Sequence, residues 1–355
     1  MKEMTSRERI SRMFEHKEAD RVPIEDYPWA ATIERWESDG MPKGMDYWDY
    51  FGMDKILQYT PDVSPQFPYT VIEETDEYII NTSSWGATCK NFKHSASTPE
   101  FLDFKVVTPE AWAEAKARMS ISPDRINWKY IEKEYKKAID EDHYKMAGFW
   151  FGFDVTHSWM VGTETLLIAM LEEPEWCSEM FNFGLDMCIG HFELLWEKGY
   201  KFDAITWPDD MGFKHSQFFS LNTYRELLKP VHKRAIDWAK SKGIKSMMHS
   251  CGDITPFIPE LVEIGLDGLN PLESKAGMNP AKIKAEFGDK LVLKGGLNAL
   301  KLNNPPEFFE EMEALVPIMK ENGGYIFSTD HSIPSSISAQ DFMRIVQRAK
   351  ELGKY

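Results

Sequence analysis

Nothing in this sequence reads as a membrane span. No stretch approaches the roughly 20 consecutive apolar residues that a bilayer core requires. The opening Met1-Lys-Glu-Met-Thr-Ser-Arg-Glu-Arg carries charge where a secretory leader carries an apolar core, so a cytoplasmic location is expected. Cysteine is scarce. Cys89, Cys177, Cys188 and Cys251 are the four in 355 residues. They are scattered without a CxxC, which argues against a disulfide framework and leaves each free for chemistry. Positive charge is short as well: 41 Lys and Arg stand against 57 Asp and Glu, a formal charge of -16. A chain this acidic repels phosphate backbones and anionic lipid, which excludes nucleic-acid binding as a working hypothesis. There is no glycine-rich phosphate loop, internal repeat, low-complexity tract or flexible linker. What remains is 43% hydrophobic and long enough to bury a large core, read as one domain over residues 1–355.

From about residue 200 onward, short apolar runs alternate with amphipathic segments, the pattern of parallel strands joined by helices. Strands are predicted at 202–207, 244–249, 266–272, 291–296 and 325–329. Helices are predicted at 221–242, 256–264, 280–287, 306–322 and 339–352. Five strand-helix units there leave three for the first 200 residues, where the signal is weaker. Thr5-Ser-Arg-Glu8 is a capping box opening a helix through His16. Residues 21–25 and 146–153 read as strands, 109–142 as charged helix, and 70–94 as an antiparallel hairpin outside the barrel. The fold expected is a (β/α)8 TIM barrel with an amino-terminal helical elaboration and a β-hairpin insertion. A doubly wound open sheet is the rival, with no phosphate loop to support it.

The feature richest in chemistry is His249-Ser-Cys251, at the end of the apolar run 244–248. Residues two apart on an extended segment face the same side, so an imidazole and a thiolate can grip one zinc ion. Later apolar runs also end in polar or metal-competent residues: Glu273, Asn298, and Asp330 with His331. Equivalent ends of parallel strands converge on one site. Asp209 and Asp210 follow the 202–207 strand as a candidate acid/base pair, with Asp210 favoured because adjacent residues point apart. Trp150, Phe151, Phe153, Trp159 and Trp207 are candidates for an aromatic-substrate pocket, and Asn298 for a substrate contact. No functional role is assigned to His157, His191, His215 or His232, and Cys177 and Cys188 read as buried thiols.

Five motifs in order resemble the uroporphyrinogen decarboxylase superfamily: Thr5-Ser-Arg-Glu-Arg with Ala19-Asp-Arg-Val-Pro23, Gly162-Thr-Glu-Thr with Glu173-Pro174, Trp207-Pro-Asp-Asp-Met-Gly212, His249-Ser-Cys-Gly-Asp253, and Glu263-Ile-Gly-Leu-Asp-Gly-Leu-Asn-Pro271. The resemblance spans nearly the whole chain. It implies either a porphyrinogen decarboxylase or a zinc methyltransferase that passes methyl groups to or from corrinoids. The decarboxylases carry an arginine-rich segment after the first strand, where this chain has Glu25-Asp-Tyr-Pro-Trp-Ala-Ala-Thr-Ile-Glu-Arg35. Those acids would repel a substrate bearing many carboxylates, so the likeness favours the branch that resembles methylcobamide:coenzyme M methyltransferases.

In that branch, and in the similar cobalamin-independent methionine synthases, zinc is held by His-x-Cys, a later Glu and a Cys near the last strand. The resemblance therefore implies His249, Cys251 and Glu273 as ligands. Asp330-His331 stands where the last Cys belongs, which makes His331 the expected fourth ligand. A His/Cys/Glu/His set places about two negative charges on the metal instead of about three, leaving a more electrophilic ion. This suits Lewis-acid activation of a methyl ether. The expected activity is transfer of a methyl group between a small donor, such as a methoxylated aromatic compound, and a corrinoid carried on a partner protein, with the enzyme possible as a homodimer. The alternatives are methyl transfer from a methylcorrinoid to a thiol, a metal-free decarboxylase using Asp210, and a zinc-binding barrel without turnover.

Overall fold

Thr5 and Glu8 cap one another, the Thr5 hydroxyl accepting from Glu8 N and the Glu8 carboxylate from Thr5 N, and the helix Ser6–Phe14 follows. In the computed structural model, which describes residues 3–94 and 98–355, this helix turns Ile10, Met13 and Phe14 into the amino-terminal end of a barrel. There they pack on Ile56, Tyr144, Met146, Ala204, Met247, Val292 and Ile326, which come from six different strands. The helix is a plug, and its apolar face is used up on the barrel interior.

The first barrel strand is β1 (Ile56–Tyr59). Outside the barrel an antiparallel sheet follows in sequence order: β2 (Val71–Glu74), β3 (Tyr78–Thr82), β4 (Ala87–Phe92) and β5 (Glu100–Phe104). The hairpin expected over 70–94 is therefore three strands of a four-stranded sheet. The short run Glu100–Phe104 completes it by pairing with β4, and a five-residue segment carries too little alternation to be seen alone. The barrel resumes with β6 (Tyr144–Gly148) and β7 (Ala204–Pro208). A two-stranded ribbon, β8 (Gly212–Phe213) and β9 (Ser216–Gln217), lies at its rim. Then come β10 (Lys245–His249), β11 (Gly268–Leu272), β12 (Val292–Gly295) and β13 (Tyr325–Ile326).

The seven barrel strands pair in parallel in the order β1-β6-β7-β10-β11-β12-β13. Residues 21–28 close the circuit as the eighth stave. Phe327 N donates to Pro23 O at 2.8 Å and Glu25 N to Phe327 O at 3.0 Å, while on the other side Asp54 N donates to Ile24 O at 2.9 Å. The strand expected at 21–25 is thus a set of bridges instead of a ladder, because Pro23 and Pro28 have no N–H to give. The strand expected at 146–153 ends at Gly148. Beyond it the backbone turns at Gly152, whose φ of +96° and whose missing Cβ, which would lie 2.5 Å from an Asp209 oxygen, admit only glycine. The helix over 221–241 widens at Tyr224–Leu228, just before Pro230, which cannot donate in the regular pattern. Among the described residues no helix is long and apolar enough to cross a membrane.

The closure rests on buried charge. Asp54, 1% exposed, accepts from Arg9, from Arg21 Nη1 at 2.7 Å and from Ile24 N at 2.8 Å. Arg9 also grips Asp20 through Nε at 2.7 Å and Nη2 at 2.8 Å. Removing one member of such a set strands the others in low dielectric, so Asp54→Ala should cost about 3–5 kcal/mol in urea unfolding. A loss below about 1 kcal/mol would show that closure does not depend on it. The network also sets an acid limit. Burial raises Asp20, but hydrogen bonds from Arg9 and Met4 N outweigh it and hold its carboxyl down to about 2. A depressed carboxyl contributes stability that is complete above its unfolded value of about 4 and is lost as pH falls through the folded value. Asp20→Asn should accordingly flatten the pH dependence of stability between about 4 and 2.

Candidate functional site

Two loops meet at the carboxyl ends of β7 and β10. Asp209 N donates to His249 O at 2.7 Å, Met211 N to Ser250 Oγ at 3.1 Å, and Cys251 N to Asp210 Oδ1 at 2.7 Å. These bonds bring Cys251 Sγ to 3.4 Å from His249 Nε2, and His249 Nε2 to 3.7 Å from Asp210 Oδ1. The donor atoms of Asp210, His249 and Cys251 all lie within 4.8 Å of one another. An imidazole, a thiol and a carboxyl in one half-buried cluster are the ligand types of zinc. Burial, then the Asp210 and Glu273 carboxylates, push the Cys251 thiol well above its ordinary range, the situation a bound divalent ion reverses. The Asn270 amide stands 3.2 Å from His249 Nδ1. The amide nitrogen is the atom placed there; with the amide turned over, its oxygen would accept from Nδ1–H and leave the Nε2 lone pair for a metal. The residues present therefore fit the ion.

The other expected ligands are close but stand outside this cluster. Glu273 accepts from Gly252 N and sits 3.5 Å from Lys275 Nζ, so it braces the His249–Cys251 loop from behind. His331 lines the same cavity as His249 and Cys251, its ring 5.9 Å from that of Trp29. Burial and then Lys275 push its pKa down, favouring a neutral imidazole. Asp330 is wholly buried and accepts from Ala299 N at 3.0 Å and Lys275 N at 3.3 Å.

Asp210 faces the cavity, whereas Asp209 is turned away and fully buried, 2.6 Å from His232 Nε2, with Asp154 N donating to its second oxygen at 2.8 Å. His232 is one residue the sequence reading passed over, since nothing in a helical His marks a partner on another element. Asp154 is a second. Burial, then Asp210 and Asp209, push its carboxyl up.

The cavity itself has a volume of about 450 Å³ and is floored by Ile56, Met146, Met247 and Ile326. Trp150 and Trp207 line it, joined by Tyr27 and Trp29, which sequence alone did not single out. Phe153 and Trp159 stand behind that wall, Phe153 against His157 at 4.4 Å and Trp159 against Trp150 at 5.8 Å and Phe101 at 5.3 Å. Phe151 packs on Trp207. Asn298 lies away from the cavity wall and caps the turn Ala299–Asn303 through Leu300 N.

A family model described as uroporphyrinogen decarboxylase matches residues 107–352. Among solved structures, a methyltransferase from Methanosarcina mazei is similar with a TM-score of 0.61 at 15% identity, over 98% of this chain and 99% of that one, a likeness of fold. A B12-independent methionine synthase from Shewanella sp. W3-18-1 gives a TM-score of 0.44 at 10% identity, over 95% and 96% of the two chains. No curated protein matches the sequence.

The approach of the two loops depends on Gly252, at φ +83°, where a Cβ would lie 2.1 Å from Gly212 C. Gly252→Ala should therefore push the β10 loop off the β7 loop, destabilise the fold by roughly 2–3 kcal/mol and spread the Asp210, His249 and Cys251 donor atoms, lowering any affinity for added zinc. Thermal unfolding and a zinc titration with a chromophoric competitor read the two effects. Wild-type values for both would show that the close contact is not what assembles the cluster.

Proposed function

The chain belongs to the uroporphyrinogen decarboxylase family, and within it we propose a zinc-dependent methyltransferase that moves a methyl group between a small methyl donor and a corrinoid carried on a partner protein. The observation that carries this reading is the Asp210, His249 and Cys251 cluster opening onto an aromatic-walled cavity. His249 and Cys251 would hold the metal with Asp210, and Glu273 or His331 would be the fourth donor. An ion bound there supplies Lewis-acid polarisation of an ether oxygen. The chain's own side chains do the rest. Trp29 and Trp150 present flat apolar faces on which a methoxylated aromatic ring can lie and from which it displaces water, with Trp207 buried behind them. Asn270 fixes the His249 ring, and Glu273 fixes the loop that carries Cys251. With His331 as the fourth donor, one thiolate and one carboxylate would leave the site about neutral, which favours the donor-side reaction on an ether over delivery of a thiolate; with Glu273 the site would carry about one net negative charge and lose that preference.

Porphyrinogen decarboxylation fits this cavity poorly. Among the described residues lining it there is no arginine, its one lysine is paired with Glu25, and the half-buried Asp210 would face the substrate's own carboxylates.

Purified protein should carry about one equivalent of zinc, and Cys251→Ala should lose most of it, because the thiolate is the strongest charge donor of the set. Wild type should convert cob(I)alamin to methylcobalamin in the presence of a methoxyphenol, with the variant inactive. Full zinc retention in folded Cys251→Ala sinks the proposal, as does turnover of uroporphyrinogen that survives the substitution. His331→Ala separates the two fourth-ligand assignments: lost zinc makes it a ligand, whereas full zinc with a raised KM makes it a substrate contact.

A further inference from the structure

In the ring of eight staves, residues 21–28 lie four places from β10 in either direction, directly across the barrel from His249. The cavity wall there carries Glu25 and, from β12 on the other side of β13, Lys294. The two side chains pair across that short strand, with Lys294 Nζ donating to Glu25 Oε2. Glu25 is 0% and Lys294 7% exposed. Both groups are left with unused capacity. Glu25 Oε1 is buried without a hydrogen-bond partner, and Lys294 Nζ uses one of its three donors among the described residues. Asp26 beside them is different: it accepts from Thr329 N at 2.9 Å, Thr329 Oγ1 at 2.8 Å and Tyr27 N at 3.0 Å. A buried acceptor without a partner is destabilising and calls for an explanation.

We propose that Glu25 and Lys294 form a hydroxyl-recognition subsite, which takes the far end of a neutral aromatic ligand whose other end lies at the Asp210, His249 and Cys251 cluster. A hydroxyl is the group that fits, because it donates to Glu25 Oε1 while accepting from Lys294 Nζ, filling both vacancies at once. A carboxylate cannot donate, and it would meet Glu25 and Asp26 against a single ammonium. Burial weakens that ammonium further, and Glu25 and Asp26 stand against it, so the wall carries no excess of positive charge. A methyl group would leave Glu25 Oε1 as it is. The inference rests on the proposed function only in taking this cavity as the substrate site; the pairing itself is independent of metal and of turnover.

Calorimetric titration of the full chain with 4-methoxyphenol, 4-methoxytoluene and 4-methoxybenzoate tests it without requiring methyl transfer. Wild type should bind the phenol about tenfold or more tighter than either analogue. Glu25→Gln should bring phenol and toluene derivative to within about threefold of each other, with toluene binding unchanged. The double variant Glu25→Gln, Lys294→Gln removes both charges together, so it guards against a single variant that fails to fold, and it should lose the preference as well. A pair that only braces the barrel would alter thermal stability without altering this ratio. Equal affinities in wild type, no heat of binding for the phenol, or a preference retained in a folded variant overturns the proposal. A phenol preference abolished by Glu25→Gln in a protein that transfers no methyl group supports the subsite while counting against the enzymatic reading.

Discussion

Asp54 accepts hydrogen bonds from Arg9, Arg21 and the Ile24 backbone, and everything above it in the barrel hangs on those contacts. A parallel ring of strands has no edge only if its last stave can be joined to its first. Here the eighth stave is a proline-containing segment that cannot form a ladder, so buried ion pairs supply the cohesion that backbone pairing lacks. Because the same segment carries Glu25, Asp26 and Tyr27 into the cavity and leads directly into Trp29, the charge network at the foot of the barrel also positions one wall of the candidate site. Stability and site geometry are coupled through eight residues.

The opposite wall is organised by another means. The β7 and β10 loops approach closely enough at Gly212 and Gly252 for Cys251 N to reach the Asp210 carboxylate. Behind them Asp209, Glu273 and Asn270 are each committed to a partner that holds a neighbouring donor in place. His249 is thus steadied by Asn270 within the cavity wall, and the loops on either side by Asp209 and Glu273 behind it, the arrangement that keeps a polar site in register.

What could be read in the sequence follows from how local the signals are. Helices Pro280–Phe287 and Ala339–Leu352 were legible to the residue because Asn279 and Ser338 cap them, and the carboxy-terminal strands because each is an apolar run between a glycine stop and a polar end. β1 was not, since Ile56–Tyr59 is four residues with no period to detect. At the site, His249 and Cys251 were legible from their spacing. Asp210 was expected as an acid/base group, and its place beside them depends on the contact of two loops about 40 residues apart, which no periodicity encodes. The pairs His232 with Asp209 and Lys294 with Glu25 join residues of different elements, and neither partner carries a local sign of the other.

The helix Ser6–Phe14 stoppers the barrel from below, and its contacts reach Ile56, Met146, Met247 and Ile326, the residues that floor the cavity. The cavity is therefore closed from below. Nothing leaves through the foot of the barrel, and a bulky second reactant seated over the rim confines a small one already inside. Were a large second reactant to seat over the rim, as the proposed reaction requires, the small molecule would have to go down before it and could leave only after it lifted away.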